Sequence, residues 1–255
     1  YPEKEEIKMQ TYQPTVEPHP GQVAKACKAM LNAKRPVLYV GGGIAPEIHA
    51  RVLGFAAALA DCPIPGVIER VPTFRSVTVH FDPDLIDPPR LAADLLALAQ
   101  AGHEAAASGR RWVLPVCFDD ALAPDLPDVA AHCGLAREAV IERLTATEFS
   151  VYMLGFLPGF AYLGGLPAAL EMPRLATPRT RVPAGSLAIA GRMAAIYPWD
   201  SPGGWRLVGR TGVGLFDAGN ATRPALLAAG DRVRFRAVAS LAEAAEITET
   251  VPELP

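Results

Sequence analysis

Apolar positions along this chain switch between a helical and an extended period, and each switch marks an element. Gly21 to Leu31 places Val23, Cys27, Met30 and Leu31 on one helical face, with Lys25 and Lys28 off it. Pro36 to Val40 is a short apolar strand running into Gly41-Gly42-Gly43. Pro46 suits the first turn of a helix that extends to about Ala60. Val67–Val71 and Arg75–Phe81 read as two strands joined by a Pro72-Thr73 turn, the second with Val77, Val79 and Phe81 on one face. Asp87 before Pro88-Pro89 starts a helix whose stripe is Leu91, Leu95 and Leu98. Trp112–Cys117, taken as a final strand, completes the order β-α-β-β-α-β, which is ferredoxin-like.

Beyond the Ala-, Gly- and Ser-rich loop Gly102–Arg110, two short helices are predicted, Asp125–Cys133 closed by Gly134 and Ala136–Leu144. After Glu148 short apolar runs are cut by Gly and Pro, the texture of a β-barrel or sandwich. Residues 1–20 hold Pro2, Pro14, Pro18 and Pro20 among polar residues and read as an extended arm. The reading is an α+β chain with an arm and short helix at 1–35, a ferredoxin-like domain at 36–110, a β-barrel domain at 111–238 and a flexible tail at 239–255.

With half of its 255 residues hydrophobic, the chain has enough apolar surface for one or two cores without disulfides. Its four cysteines, Cys27, Cys62, Cys117 and Cys133, form no C-x-x-C pair, so no metal site is suggested and reduced thiols in a cytoplasm are the simpler reading. A net charge of -3 with scattered signs argues against a nucleic-acid partner. The longest apolar tract, Val52–Ala60, is far below the roughly 20 residues of a membrane span, and no signal peptide is visible.

The most specific passage is Gly155-Phe-Leu-Pro-Gly-Phe-Ala-Tyr-Leu-Gly-Gly-Leu-Pro167, followed by Thr177-Pro-Arg179 and Val182-Pro-Ala-Gly-Ser-Leu-Ala-Ile-Ala190. Ile196-Tyr-Pro198, Ser201-Pro-Gly-Gly-Trp205, Gly209-Arg-Thr211 and Leu215-Phe-Asp217 continue the series. In this order they resemble the B-subunit family of prokaryotic 5-oxoprolinase, also called KipI or the first allophanate hydrolase subunit, over about Ile44–Ala237. That family is related to part of the carboxyltransferase domain of urea carboxylase. The resemblance implies a cyclophilin-like barrel on the C-terminal side, partner A and C subunits, and ATP-dependent opening of the lactam of 5-oxoproline to glutamate. It also leaves room for a KipI-like binding module that restrains a histidine kinase, and for an inactive fusion relic.

Such a reaction needs groups that hold a carboxylate, donate to developing oxyanions and exclude water. Arg179 and Arg210 are candidate clamps, since a guanidinium fork pairs bidentately with carboxylate or phosphate; the alternative is a surface ion pair. Ser186 could present its hydroxyl and N–H to an anion, or be a turn serine starting a strand. Glu148 is a candidate general base, or a strand-start glutamate facing water. Tyr197, Trp205, Phe160 and Tyr162 are candidate pocket walls, with barrel packing as the alternative.

Three positions depart from the resemblance: Leu144 stands where a histidine is usual, Ala194 for a threonine and Gly212 for a proline. Gly209–Gly214 lacks the Lys-Ser/Thr ending of a phosphate loop, and Gly41-Gly42-Gly43 lacks G-x-G-x-x-G spacing, so ATP is expected to bind jointly with partner subunits. Finally, Tyr1-Pro-Glu-Lys4, Tyr12-Gln-Pro-Thr15, His19-Pro-Gly-Gln22 and Lys34–Gly43 resemble a linker and strand of acetolactate synthase. The likeness spans only residues 1–43 and omits that enzyme's cofactor-binding domains, so no thiamine diphosphate is expected.

Overall fold

The computed structural model describes residues 37–41, 46–102, 109–245 and 248–250, the first and last of these segments by backbone alone. The expected arm at 1–20, the helix Gly21–Leu31 and most of the Gly102–Arg110 loop lie outside the described residues.

The N-terminal unit contains β1 (Val37–Gly41), α1 (Pro46–Asp61), β2 (Val67–Pro72), β3 (Ser76–Phe81) and α2 (Pro88–Gln100). The β3 strand lies between β1 and β2 and pairs antiparallel with both. The alternation read for β3 places Val77, Val79 and Phe81 against Val52, Phe55 and Leu59 of α1 and Leu91 and Leu95 of α2, forming one small core. The helix α2 starts as its residues dictate: the Asp87 carboxylate accepts the Arg90 N–H at 3.4 Å.

The next strand overturns one expectation. Arg111–Cys117 (β4) does not complete the N-terminal sheet, which has three strands among the described residues. It runs parallel to β12 (Arg232–Val238), paired over its whole length from Arg111↔Arg232 to Cys117↔Val238. Trp112, Leu114 and Val116 point into the second core, so the apolar alternation that marked the strand serves the barrel instead.

After α3 (Leu126–Cys133) and α4 (Arg137–Ala146), the chain lays down β5 (Glu148–Leu154), β6 (Ala161–Gly164), β7 (Arg179–Val182), β8 (Ser186–Ala190), β9 (Met193–Ile196), β10 (Ser201–Gly203) and β11 (Arg206–Arg210). The order β11-β8-β9-β6-β5-β12-β4 closes on itself where Arg210 of β11 pairs with Cys117 of β4, giving a closed mixed barrel of seven strands among the described residues. Phe149, Val151, Leu163, Leu187, Ile189, Ile196, Val208, Val233 and Phe235 fill it, and Leu126, Val129, Val140 and Leu144 of the two helices join the same core. Leu144 is fully buried there, a place that favours an apolar side chain over an imidazole needing a partner. Gly134 ends α3 in the left-handed conformation, φ 64°.

The tail is a second correction. Glu243–Ala245 forms a 3-10 turn, and Thr248–Thr250 (β13) pairs antiparallel with β4. The Ala244 carbonyl accepts from the Gly212 N–H at 2.9 Å and from the Thr211 hydroxyl at 3.1 Å. A proline at Gly212 would have no N–H to give.

The two units meet through aromatic rings. His49 of α1 is buried, and its Nε2 donates to the Tyr152 carbonyl at 2.8 Å. Phe74, in the β2–β3 turn, stands edge-on to Tyr152 and Tyr162 of the barrel wall.

Candidate functional site

The strands β7 and β10 form a two-stranded sheet separate from the barrel, and aromatic side chains fill the space between this strap and the outer face of β8 and β9. The outward positions of the barrel wall are Ala188, Ala190 and Ala195, small enough for large rings to lie on them. Phe160 is at the centre, with ring centroids 5.0 Å from Tyr162, 5.2 Å from Tyr197 and 6.3 Å from Trp205. The structure therefore brings together all four aromatics singled out in the sequence. Phe160, Tyr197 and Trp205 are buried, and Tyr162 keeps partial exposure. Burial pushes the Tyr197 phenol up, against the opposing hydrogen bond from the Trp205 backbone, and it pushes Tyr162 up against the nearby Arg174. Any Cβ at Gly203 would overlap the Tyr197 hydroxyl, so glycine is required for this close approach.

Arg179, on β7, is engaged by Asp125 at the start of α3: its Nη2 donates to Oδ1 at 2.6 Å. The other carboxylate oxygen accepts the Leu207 N–H, also at 2.6 Å. Asp125 thus ties the strap, a helix start and β11 together, and the Arg179 guanidinium serves as an anchor in this structure. Its Nη1 is buried without a protein partner.

Arg210, at the end of β11, donates from Nε to the Ala184 carbonyl at 2.8 Å. The same Ala184 gives its N–H to Asp200 at 2.8 Å, and Arg181 meets Asp200 at 2.6 Å. The Ala184 N–H, followed by Arg181, holds the Asp200 carboxyl below its usual range. Ser186 donates its hydroxyl to the Pro183 carbonyl at 2.7 Å and is buried, the arrangement of a turn serine. Gly185 between them has φ 79°, and a Cβ there would overlap the Thr211 carbonyl.

Glu148 is not brought to this group. It begins β5, which stands three strands from both β8 and β11 around the barrel ring. There it faces Arg234 at 4.0 Å in a depression of about 220 Å³ that also includes Arg232. A larger cleft, about 690 Å³, opens between α1, β2 and residues 222–229, lined in part by Arg70, Arg110 and Arg223. It contains none of the residues singled out in the sequence. Among the described residues, no group of three His, Cys, Asp or Glu side chains is placed to hold a metal, and no helix is long and apolar enough to cross a membrane.

Sequence reasoning missed Asp125 as an anchor and Asp200 as the carboxylate of the Arg181–Arg210 rim. Asp200 was within reach, because it sits inside the Tyr197–Trp205 motif run as its one acidic residue. Asp125 has the local signature of a helix start only, and nothing nearby in the chain announces a partner 54 residues away.

Comparison with known proteins adds the context. The chain is 42% identical over 189 residues to the B subunit of 5-oxoprolinase from Escherichia coli O157:H7, covering 72% of this chain and 84% of that one. It is 38% identical over 206 residues to the B subunit of 5-oxoprolinase from Bacillus subtilis, covering 76% and 85%. A stretch of 60 residues is 47% identical to the acetolactate synthase large subunit of Haemophilus influenzae, 23% of this chain and 10% of that enzyme. The solved structure of TTHA0988 superposes with a TM-score of 0.71 at 38% identity, covering 80% of this chain but 40% of that polypeptide. The urea amidolyase of Kluyveromyces lactis shares the fold, with a TM-score of 0.67 at 21% identity over 84% of this chain and 16% of that one. The family model for the carboxyltransferase domain, subdomain C and D, matches residues 29–227, most of the chain, and the chain belongs to that family.

Proposed function

We propose that this chain is the B-type subunit of an ATP-dependent 5-oxoprolinase, active in the cytoplasm only together with A and C subunits. The carrying observation is the match to the B subunits of two 5-oxoprolinases, at 42% and 38% identity over 84% and 85% of those subunits. The N-terminal unit is then a ferredoxin-like domain whose last strand position is given up to the barrel.

The chemistry asks for cooperation. A lactam is a resonance-stabilised amide, so transfer of a phosphoryl group from ATP to its oxygen makes the ring carbon electrophilic; water adds there, the C–N bond breaks as the nitrogen takes up a proton, and a second water releases phosphate to leave the open amino acid. Positioned cations and amides favour the charge that develops on these atoms. On this chain the Arg181–Asp200–Arg210 rim gathers two cations and a carboxylate around the Ala184–Gly185 turn. Arg179 supports it indirectly, by fixing the strap that carries Arg181. No phosphate-binding loop is recognisable in the sequence, which favours ATP bound jointly with the partners.

The test is reconstitution: the pure chain should release no glutamate from 5-oxoproline and ATP, and addition of A and C subunits should produce it. Turnover by the chain alone, or none by the complete mixture, would refute the proposal.

A further inference from the structure

The cleft of about 690 Å³ between the two units takes no part in the site described above. It is concave, and its volume falls within the roughly 300–1,000 Å³ of small-molecule pockets. One wall is α1 with the edge strand β2, which pairs only with β3 among the described residues; the other is the 222–229 segment of the barrel unit. Leu53, Leu154 and Leu227 give the lining apolar surface. The units are joined by the hydrogen bond from His49 to the Tyr152 carbonyl and by the rings around Phe74, so the cleft is formed before any ligand arrives.

Three arginines line the cleft, and they are not equivalent. Arg110 is already neutralised: its Nη2 donates to Asp231 at 3.1 Å, and the same buried carboxylate accepts from the Trp112 indole and the Ala228 N–H. Arg70 and Arg223 are braced without a carboxylate in contact. Arg70 donates from Nε to the Ala56 carbonyl at 2.9 Å. Arg223 donates from Nη2 to the Leu226 carbonyl at 3.3 Å, and its guanidinium stands 5.4 Å from the Trp112 ring centroid. A carbonyl or a ring face fixes a guanidinium but leaves its charge and its remaining N–H groups in place. Neither arginine has a carboxylate within 4.0 Å among the described residues. Against the two of them the described lining sets a single carboxylate, Glu69.

A guanidinium with unused donors pairs best with a carboxylate or a phosphate, to which it gives two parallel hydrogen bonds. One such arginine stands on each wall, with apolar surface in the same lining. We propose that the cleft binds a small organic oxyanion, a carboxylate or phosphate on a short apolar body, held by Arg70 from β2 and Arg223 from the barrel unit. A ligand held in this way ties the two units together. It is separate from the reaction assigned to the Arg181 rim, so it stands or falls independently of the proposed function.

Titration calorimetry of the purified chain, at an ionic strength held constant with chloride, would compare ADP, 5-oxoproline, glutamate and inorganic phosphate. At least one of the first three should bind; ADP alone would assign the cleft to phosphate ligands, and 5-oxoproline or glutamate to carboxylates. Arg70→Met and Arg223→Met, at exposed side chains, should each weaken that binding at least tenfold. Arg236→Met removes the same charge from an exposed position on β12 outside the cleft and should bind as the unmodified chain does. The proposal is overturned if no organic anion binds at millimolar concentration, or if either cleft variant binds undiminished. It is equally overturned if Arg236→Met weakens binding as much, or if phosphate binds as tightly as the best organic anion.

Discussion

Asp125 is the side chain whose loss should reveal most about how the strap is held. It is buried, and its two oxygens serve different masters: one accepts from Arg179 on the strap and the other from the Leu207 backbone on the barrel, each at 2.6 Å. Asp125→Ala orphans a buried N–H, worth about 1–3 kcal/mol, and leaves the Arg179 guanidinium without its counter-charge. Breaking a buried pair costs about 3–5 kcal/mol, but the Arg179 side chain keeps 30% of its exposure, so water partly rescues it. The sum we expect is about 3 kcal/mol, or a melting temperature lower by roughly 6–12 °C for a chain of this size. Asp125→Asn retains one acceptor but must turn its NH₂ toward one of the two donors, so it should fall between Ala and the unmodified chain. Urea unfolding of Asp125→Ala, Arg179→Met and the double variant closes a thermodynamic cycle. A coupling of at least about 1 kcal/mol is expected for a direct, partly buried ion pair. A coupling below about 0.5 kcal/mol would refute the anchor and free Arg179 for a ligand.

Three further outcomes are expected. Burial lowers the His49 pKa from 6.5, assisted by Arg232 and opposed by the hydrogen bond to Tyr152. The unfolded chain therefore binds the proton first, and stability should fall as pH drops below 6.5; His49→Gln should flatten that part of a melting-temperature profile, and an unchanged profile would remove His49 as its source. Gly185→Ala meets both positive φ and the Thr211 carbonyl and should cost about 2–4 kcal/mol, whereas Gly134→Ala, with nothing within 4 Å of the added Cβ, should cost only about 1 kcal/mol by chemical denaturation. Removing residues 240–255 should lower the melting temperature, because Ala244 is buried and its carbonyl takes two barrel hydrogen bonds; no change would restore the flexible-tail reading.

What was legible in the sequence follows the range of the interactions. The α2 helix could be read because its signals are local: Asp87 before two prolines, and leucines at i, i+4 and i+7. The alternation in β3 was equally plain. For β4 the same alternation was visible but its sheet was not, since Trp112, Leu114 and Val116 demand only some apolar interior. The choice between two cores was made by a parallel partner 121 residues later. The tail misled for a related reason: an alanine-rich composition reads as weak, yet one small residue, Ala244, fits flush against the barrel where Gly212 supplies an N–H.

The candidate site shows the same divide at the level of chemistry. Residue type indicated that Arg179, Arg210 and Ser186 could bind an anion, but only tertiary structure determines whether their donors are already occupied. Asp125, Ala184 and Pro183 occupy one donor on each. Motif order singled out Phe160, Tyr162, Tyr197 and Trp205, and their rings meet because the alanines of the barrel wall and Gly203 leave room for them. Glu148 stays apart from Ser186 and Arg210 because strand count, invisible in a motif, puts β5 three strands from both β8 and β11 around a seven-membered ring. A polar residue in such a fold is therefore a better functional candidate when its surroundings strain to keep it, or an apolar neighbour, exposed.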